Sequence, residues 1–101
     1  MVLRRVCVFC GSSDGARPDY GRAAEGLGQA LAARGIGLVY GGAHVGLMGR
    51  VADACRAGGG HVTGVIPERL VDAEVAHTGI DDLRIVSSMH ERKALMADLS
   101  D

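Results

Sequence analysis

The stretch that decides the fold is residues 36–49, IGLVYGGAHVGLMG. Its apolar run, Ile36–Tyr40, predicts a buried strand that passes directly into a glycine-rich loop and then into a helix. Glycines in such a loop allow a tight strand-to-helix turn, and they also let backbone N–H groups approach a phosphate at the N-terminus of the helix. The residues leave both interpretations open. The loop is not the NAD fingerprint, because it follows the second strand and that strand ends in Tyr40 rather than in a carboxylate.

The same alternation of strands and helices extends from this stretch toward both ends of the chain. Three further apolar runs predict strands: Val6–Phe9, His61–Ile66 and Leu83–Val86. Apolar residues at helical spacing predict three helices: one from Pro18 to a glycine cap at Gly35, one that stops at Gly58, and one over Met89–Leu99. Strands that alternate with helices favour parallel pairing through right-handed crossovers. We therefore predict an α/β fold, a three-layer doubly wound parallel sheet of the Rossmann-like class, in one domain over residues 1–101.

The predicted sheet has an unprotected edge. The chain ends with the helix that follows the fourth strand, where a sheet of this type normally continues with another strand. A sheet that stopped there would leave its fourth strand as an exposed apolar edge, which favours aggregation. We therefore expect a fold truncated after the fourth strand and its helix, with the remainder on a longer or split protein or on another chain.

Composition excludes several classes of function. Eleven basic residues face twelve acidic ones, for a net charge of −1, so neither nucleic acid nor an anionic membrane is an expected partner. No apolar run approaches the roughly 20 residues that span a bilayer, and no signal peptide is evident, so a cytoplasmic location is predicted. Cys7 and Cys10 form a C-x-x-C across the end of a strand, where the two thiols point to opposite faces, so we expect reduced, structural cysteines.

Candidate ligand-binding residues follow the strands, because ligands of such folds bind beyond the carboxyl ends of the strands. Ser12 lies in the first of these loops, where its hydroxyl could bind a ligand or only the turn backbone. Ser88 and Glu91 have the spacing of a capping box that begins the last helix. Arg92 and Lys93 follow in the first turns of that helix, where the helix dipole disfavours cations. They are therefore candidates for holding an anion, and the alternative is a solvated pair of charges.

Other polar residues carry a weaker signal. Glu74 lies in a polar stretch, Glu68–Asp82, that has room for a short helical turn close to the same edge of the sheet. By itself it is expected to be a solvated loop carboxylate. The four histidines, His44, His61, His77 and His90, show no spacing typical of metal ligands. No metal is predicted.

Three ordered motifs resemble one family. CGSS at residues 10–13, YGGAHVGLMG at residues 40–49 and MHERK at residues 89–93 are similar to the motifs of the LOG ("lonely guy") proteins, which are cytokinin riboside 5′-monophosphate phosphoribohydrolases. The resemblance extends over essentially the whole chain. Three motifs in the right order are much more specific than any one of them.

The resemblance implies an activity and a set of site residues. The activity is hydrolysis of the N-glycosidic bond of AMP or an N6-prenyl AMP to the free base and ribose 5-phosphate, by a homodimer without metal or cofactor. Arg92 matches the catalytic arginine of the family. The resemblance also implies a set of substrate-binding residues: Ser12, Gly41, Gly42, Gly46, Met48, Glu74, Arg92 and Lys93.

One departure from the family pattern matters for the activity. A second signature, P-G-G-x-G-T-x-x-E, carries the family's phosphate-cradling glycines and its catalytic glutamate, and it is absent from residues 1–101. Glycosyl cleavage passes through an oxocarbenium-like state that a carboxylate stabilises. We therefore expect little activity from these residues alone, and a noncatalytic nucleotide- or phosphate-binding module is the alternative function.

Overall fold

The computed structural model describes residues 4–9 and 18–101 of the chain. In chain order the elements are β1 (Arg5–Cys7), α1 (Pro18–Ala33), β2 (Gly37–Tyr40), α2 (Gly46–Ala57), β3 (Val62–Pro67), a 3-10 turn (Glu68–Leu70), β4 (Asp82–Val86) and α3 (Met89–Leu99). The four strands form one parallel sheet in the order β1-β2-β3-β4. The predicted parallel sheet is confirmed.

Helices cover both faces of the sheet. Leu38 and Tyr40 of β2 point toward α1 and α2, and pack with Met48 and Val51 in the larger core. The intervening residue, Val39, points to the opposite face because side chains alternate along a strand. There it packs with Val65 and with Met96 of α3. The three-layer, doubly wound arrangement is therefore confirmed.

The ends of the elements follow local rules. Helix α1 begins at Pro18 and is followed by Gly35, whose φ of +67° is the left-handed conformation that commonly ends helices. Ser88 caps α3, since its Oγ accepts a hydrogen bond of 3.1 Å from the backbone N–H of Glu91. The Ser88 half of the predicted capping box is thus confirmed, whereas the Glu91 carboxylate accepts from the backbone N–H and the hydroxyl of Ser87 instead of the backbone N–H of Ser88.

The first strand is shorter than predicted. Pairing with Gly37–Val39 of β2 runs only from Arg5 to Cys7. Val8 still donates its N–H to the carbonyl of Val39 at 2.9 Å, but Phe9 has left the sheet and is 70% exposed. Apolar character therefore extends beyond the ladder, and sequence pattern alone placed the end of the strand too late.

The far edge of the sheet and the end of the chain also have defined surroundings. On β4, Ile85 is 56% exposed, which matches the apolar edge expected for the fourth strand.

Asp101 returns to the start of β1, where its carboxylate accepts hydrogen bonds from the N–H groups of Arg4 at 2.6 Å and Arg5 at 2.9 Å. These two bonds hold the pKa of the Asp101 carboxyl below its usual range. None of the helices in the described part of the chain is long and apolar enough to cross a membrane.

Candidate functional site

Arg92 lies buried at the edge of the sheet where β2 and β3 end. It belongs to the first turns of α3, which the Ser88 cap begins. Its Nε donates to the carbonyl oxygen of Val65 at 2.9 Å, and its Nη2 donates to the carbonyl oxygen of Gly41. The cation predicted at a helix start is therefore aimed inward, at the carboxyl ends of two parallel strands.

Glu74 completes the charge balance of this guanidinium. Its Oε1 accepts a hydrogen bond from Nη2 of Arg92 at 2.8 Å. The side chain of Arg92 is only 8% exposed and that of Glu74 only 15%. Pairing is what makes a buried arginine tolerable, because an isolated buried charge is costly. The remaining nitrogen, Nη1, has a weak contact of 3.7 Å to the Met89 sulfur. Of the guanidinium nitrogens, Nη1 is thus the one least committed to protein oxygens.

Gly41 must be small for this arrangement. A Cβ built on Gly41 would lie 2.6 Å from Nη2 of Arg92 and 2.7 Å from the sulfur of Met48. Both distances are far below van der Waals contact, so any side chain would displace the guanidinium or the methionine. Met48 itself is 5% exposed and belongs to the larger core. The glycine of the loop therefore serves the close approach of Arg92 to the backbone.

The rest of the glycine loop adopts conformations that suit glycine. Gly42 has a φ of +79° and Gly46 a φ of +63°, both in the left-handed region. Gly46 begins α2, and the residue before it, Val45, makes no side-chain capping bond. The first turn of α2 carries no acidic residue either. An anion at this helix start would meet backbone N–H groups and the positive end of the helix dipole.

One of the predicted site residues, Lys93, lies apart from this cluster. Lys93 is exposed, because it follows Arg92 on the helix and neighbouring residues point about 100° apart. Ser12 lies outside the residues that the structure describes, as does Cys10. The structure thus brings together Gly41, Met48, Glu74 and Arg92, and leaves Lys93 at the surface.

The two described cysteines are free thiols. Cys7 is half-buried and Cys55 buried. Burial raises the pKa of both thiols, and the negative charge of Asp81 raises that of Cys55 further. A raised pKa disfavours the reactive thiolate, which agrees with the structural role expected for Cys7.

A second polar cluster was missed by the sequence reasoning. His44 of the glycine loop stacks on His77, with ring centroids 4.1 Å apart, and Asp53 of α2 lies beside both. The ligand atoms of the three side chains lie within 4.8 Å of one another, close enough to be considered as a metal site. The only sequence signal was the histidine inside the glycine loop, because Asp53 and His77 are 24 residues apart along the chain.

Hydrogen bonding at His77 shows whether the cluster suits a metal site or a set of hydrogen-bonded side chains. The backbone N–H of Gly79 donates to Nδ1 of His77 at 3.1 Å, so Nδ1 is the acceptor and the hydrogen lies on Nε2. Nε2 then donates to Oδ1 of Asp53 at 2.7 Å. Metal-binding histidines normally donate through the nitrogen that is not bound to the metal, which is the reverse of this pattern. The donor set as it stands therefore fits a hydrogen-bonded cluster better than a metal centre.

Known proteins resemble this chain both as a family and individually. The model of the SLOG cluster4 family matches residues 4–101. A rice protein named "Probable cytokinin riboside 5′-monophosphate phosphoribohydrolase" (Oryza sativa subsp. japonica) is 59% identical over 98% of this chain and 44% of its own length. The rice cytokinin riboside 5′-monophosphate phosphoribohydrolase LOG is 52% identical, over 98% of this chain and 41% of its own length. An Arabidopsis thaliana protein of the same enzyme name is 50% identical over 98% of this chain and 46% of its own length.

Solved structures share the fold at lower identity. The molybdenum cofactor binding protein of Rippkaea orientalis superposes with a TM-score of 0.80 at 23% identity, over 100% of this chain and 60% of that one. The Moco carrier protein of Chlamydomonas reinhardtii superposes with a TM-score of 0.73 at 21% identity, over 95% of this chain and 56% of that one. These likenesses support the fold alone.

The matches agree with the three motifs from which a resemblance was inferred. The chain spans less than half the length of the curated relatives, and it aligns with them over nearly all of its own. The inferred resemblance to the LOG proteins is confirmed, and the chain belongs to the SLOG cluster4 family.

Proposed function

We propose that this chain contributes to the active site of a phosphoribohydrolase that cleaves the N-glycosidic bond of AMP or an N6-prenyl AMP. The products are the free base and ribose 5-phosphate. The observation that carries the proposal is the buried guanidinium of Arg92, which reaches the glycine loop and Glu74 at the carboxyl edge of the sheet. The names of relatives at 50–59% identity support the substrate class.

The geometry suits the charges that develop in this reaction. The glycosidic bond breaks through an oxocarbenium-like state, so the sugar gains positive charge and the departing base gains negative charge. Arg92 offers the N–H groups of Nη1 to an electron-rich ligand, while its other nitrogens are held by protein oxygens. A guanidinium fixed in this way stabilises developing negative charge without having to reorganise. Glu74 keeps Oε2 for a ligand hydroxyl, since Oε1 faces Arg92.

The glycine loop is proposed to line part of the nucleotide pocket. Gly41, Gly42 and Gly46 lead into the uncapped start of α2, with Met48 buried behind the loop. Lys93 and Ser12 belong to the proposed binding set through the resemblance, with Lys93 approaching a ligand from the surface. The same resemblance supports a homodimer that needs no metal.

The proposal assigns only part of the catalytic machinery to residues 1–101. The relatives are more than twice as long as the matched segment. The resemblance implies that the family's second signature, which is absent from residues 1–101, supplies a catalytic carboxylate. Arg92 stabilises charge but cannot activate water as a base, because a guanidinium stays protonated. We therefore expect little turnover from residues 1–101 alone.

The test is base release from AMP and from an N6-prenyl AMP by the encoded protein at its full length. Changing Arg92→Ala should lower kcat by about 10²-fold or more, as for loss of one fixed donor to a developing charge, and should change the dissociation constant for AMP much less. Lys93→Ala is the neighbouring control, for which we expect a few-fold rise in KM at unchanged kcat. Equal turnover by Arg92→Ala and wild type would show that the proposal is wrong. AMP binding without base release, weakened by the same substitution, would instead indicate a noncatalytic nucleotide-binding module.

A further inference from the structure

The cluster of His44, Asp53 and His77 joins three separate parts of the chain. His44 belongs to the glycine loop, Asp53 to α2, and His77 to the segment that leads from the 3-10 turn to β4. His77 is only 4% exposed, whereas Asp53 is largely exposed. The cluster lies outside the proposed substrate-binding set, so its buried histidine needs another explanation.

His77 is held on three sides. Its ring accepts from the N–H of Gly79 and donates to Asp53. Its own backbone N–H donates to the carbonyl oxygen of Gly42 at 2.8 Å. The ring is therefore fixed in one tautomer and one orientation, between α2 and the glycine loop.

The residues before His77 lie along the glycine loop. Ala43 and Ala76 form an antiparallel bridge, and the N–H of His44 donates to the carbonyl oxygen of Val75 at 2.7 Å. Val75 has a φ of +52°, which is strained for a β-branched residue and persists only where the surroundings hold it. Glu74, the partner of Arg92, precedes this strained residue.

We propose that His77 and Asp53 are positioning residues, which fasten residues 74–77 to the glycine loop and α2 so that the Glu74 carboxylate meets Nη2 of Arg92. The chain of contacts runs from Asp53 through His77 and the strained Val75 to Glu74. Without the anchor at His77, relaxation of Val75 would turn the Glu74 side chain away from Arg92. The importance of the Glu74–Arg92 pair for catalysis rests on the proposed function, but the anchoring itself does not.

Four substitutions separate the two hydrogen bonds of the ring. His77→Gln keeps an N–H donor near the position of Nε2. His77→Asn keeps only an acceptor near the position of Nδ1 and loses the hydrogen bond to Asp53. Asp53→Asn keeps an oxygen acceptor, whereas Asp53→Ala removes it. Asp53 is exposed on a helix, so both of its variants should fold. His61→Asn, at an exposed histidine before β3, is the control for loss of an imidazole.

The first readout is the solvent exchange of the Arg92 Nε–H by NMR, which needs no catalytic activity. In the wild type this hydrogen is buried against the Val65 carbonyl and should exchange slowly. We expect about tenfold faster exchange in His77→Asn and Asp53→Ala, on the scale of one lost hydrogen bond. His77→Gln, Asp53→Asn and His61→Asn should resemble the wild type, and the backbone amide of Val39 in the core should be unchanged in all of them. Unchanged Arg92 exchange in both His77→Asn and Asp53→Ala would overturn the proposal.

The second readout is base release from AMP by the full-length protein. Asp53→Ala should lower kcat about tenfold at nearly unchanged KM, and Asp53→Asn should restore it. If the wild type releases no base, the proposed function fails while the NMR result still decides the anchoring.

A third measurement titrates the wild type with Zn²⁺ and follows the ring resonances of His44 and His77. Stoichiometric binding at micromolar concentration would overturn the proposal in favour of a metal site, and its absence supports the tautomer deduced at His77.

Discussion

The helices on the two faces of the sheet are used very differently. Helix α2 buries an unbroken apolar surface against the sheet, made of Met48, Val51, Ala52 and Cys55, with Gly49 beside them. Helix α3, nearly as long, buries only Met96 and the charged side chain of Arg92. A layer that buries a guanidinium gives up hydrophobic area that would stabilise the fold. Helix α2 therefore serves mainly the core, whereas α3 serves mainly the site.

The α2 layer also contains a close contact between two helices. A Cβ on Gly28 of α1 would clash with the backbone oxygen of Val51 and lie 2.9 Å from the Cβ of Ala54. The two helices therefore approach so closely that only glycine fits between them. Gly26, on the same helix, offers a matched contrast, because a Cβ added there would have no neighbour within 4 Å among the described residues.

The largest effect expected from this difference between the layers is at Arg92. Arg92→Met should lower the free energy of unfolding by about 3 kcal/mol, because Glu74 and two strand-end carbonyls lose their donor in a buried site. Lys93→Met, at the exposed neighbour, should change the free energy of unfolding by less than about 0.5 kcal/mol. Urea denaturation followed by circular dichroism at pH 7 measures both. Equal effects of the two substitutions would show that α3 does not bury its charge.

A smaller effect is expected in the α1–α2 interface. Gly28→Ala should lower the free energy of unfolding by about 2 kcal/mol through overpacking against α2. Gly26→Ala should raise it by up to about 1 kcal/mol, since alanine has the higher helix propensity and meets no neighbour. The same denaturation experiment applies. Stabilisation by both substitutions would contradict the close approach of the two helices.

The smallest effect concerns the start of α3 and depends on pH. The side-chain hydrogen bond from Ser87, followed by that from the Ser87 backbone, lowers the pKa of Glu91 below its ordinary value of 4.5. A pKa lowered by folding means that the ionised carboxylate stabilises the fold above about pH 4.5, and that this contribution is lost as the pH falls through the folded-state pKa.

Glu91→Gln tests this contribution. At pH 7 the substitution should lower the thermal midpoint by a small amount, and the difference from the wild type should shrink as the pH falls from about 5 to about 3. Thermal melts at several pH values, with Glu68→Gln as the exposed control, measure the difference. A difference that stays constant or grows on acidification would contradict the bond between Ser87 and Glu91.

Much of the α3 layer could be predicted from the sequence, because its signals are local. Ser88 and Glu91 are three residues apart, and the cap they predicted is present. The position of Arg92 in the first turns of the helix follows from the same cap. Its partners do not, since Glu74 is 18 residues away along the chain and Gly41 is 51. Only the packing of α3 across the sheet brings them together.

The His44–Asp53–His77 cluster shows where sequence reasoning stops. Its histidines lack any spacing typical of ligands, and their contact depends on residues 74–77 lying back along the glycine loop. That path includes the left-handed backbone of Val75, which no local preference of valine would predict. The end of β1 was misplaced for a related reason, since apolar character continues to Phe9 although pairing with β2 ends earlier.

The sequence alone determined the order of strands and helices, the parallel class of the sheet, the capped start of α3 and the three motifs of the LOG proteins. These depend on hydrophobic periodicity, glycine conformation and capping, which act over a few residues. The tertiary structure alone decided that Arg92 faces Gly41 and Glu74 while Lys93 faces solvent, and that His77 meets Asp53. Contacts between distant segments depend on how whole layers pack, and side-chain packing against a particular neighbour has no local signature.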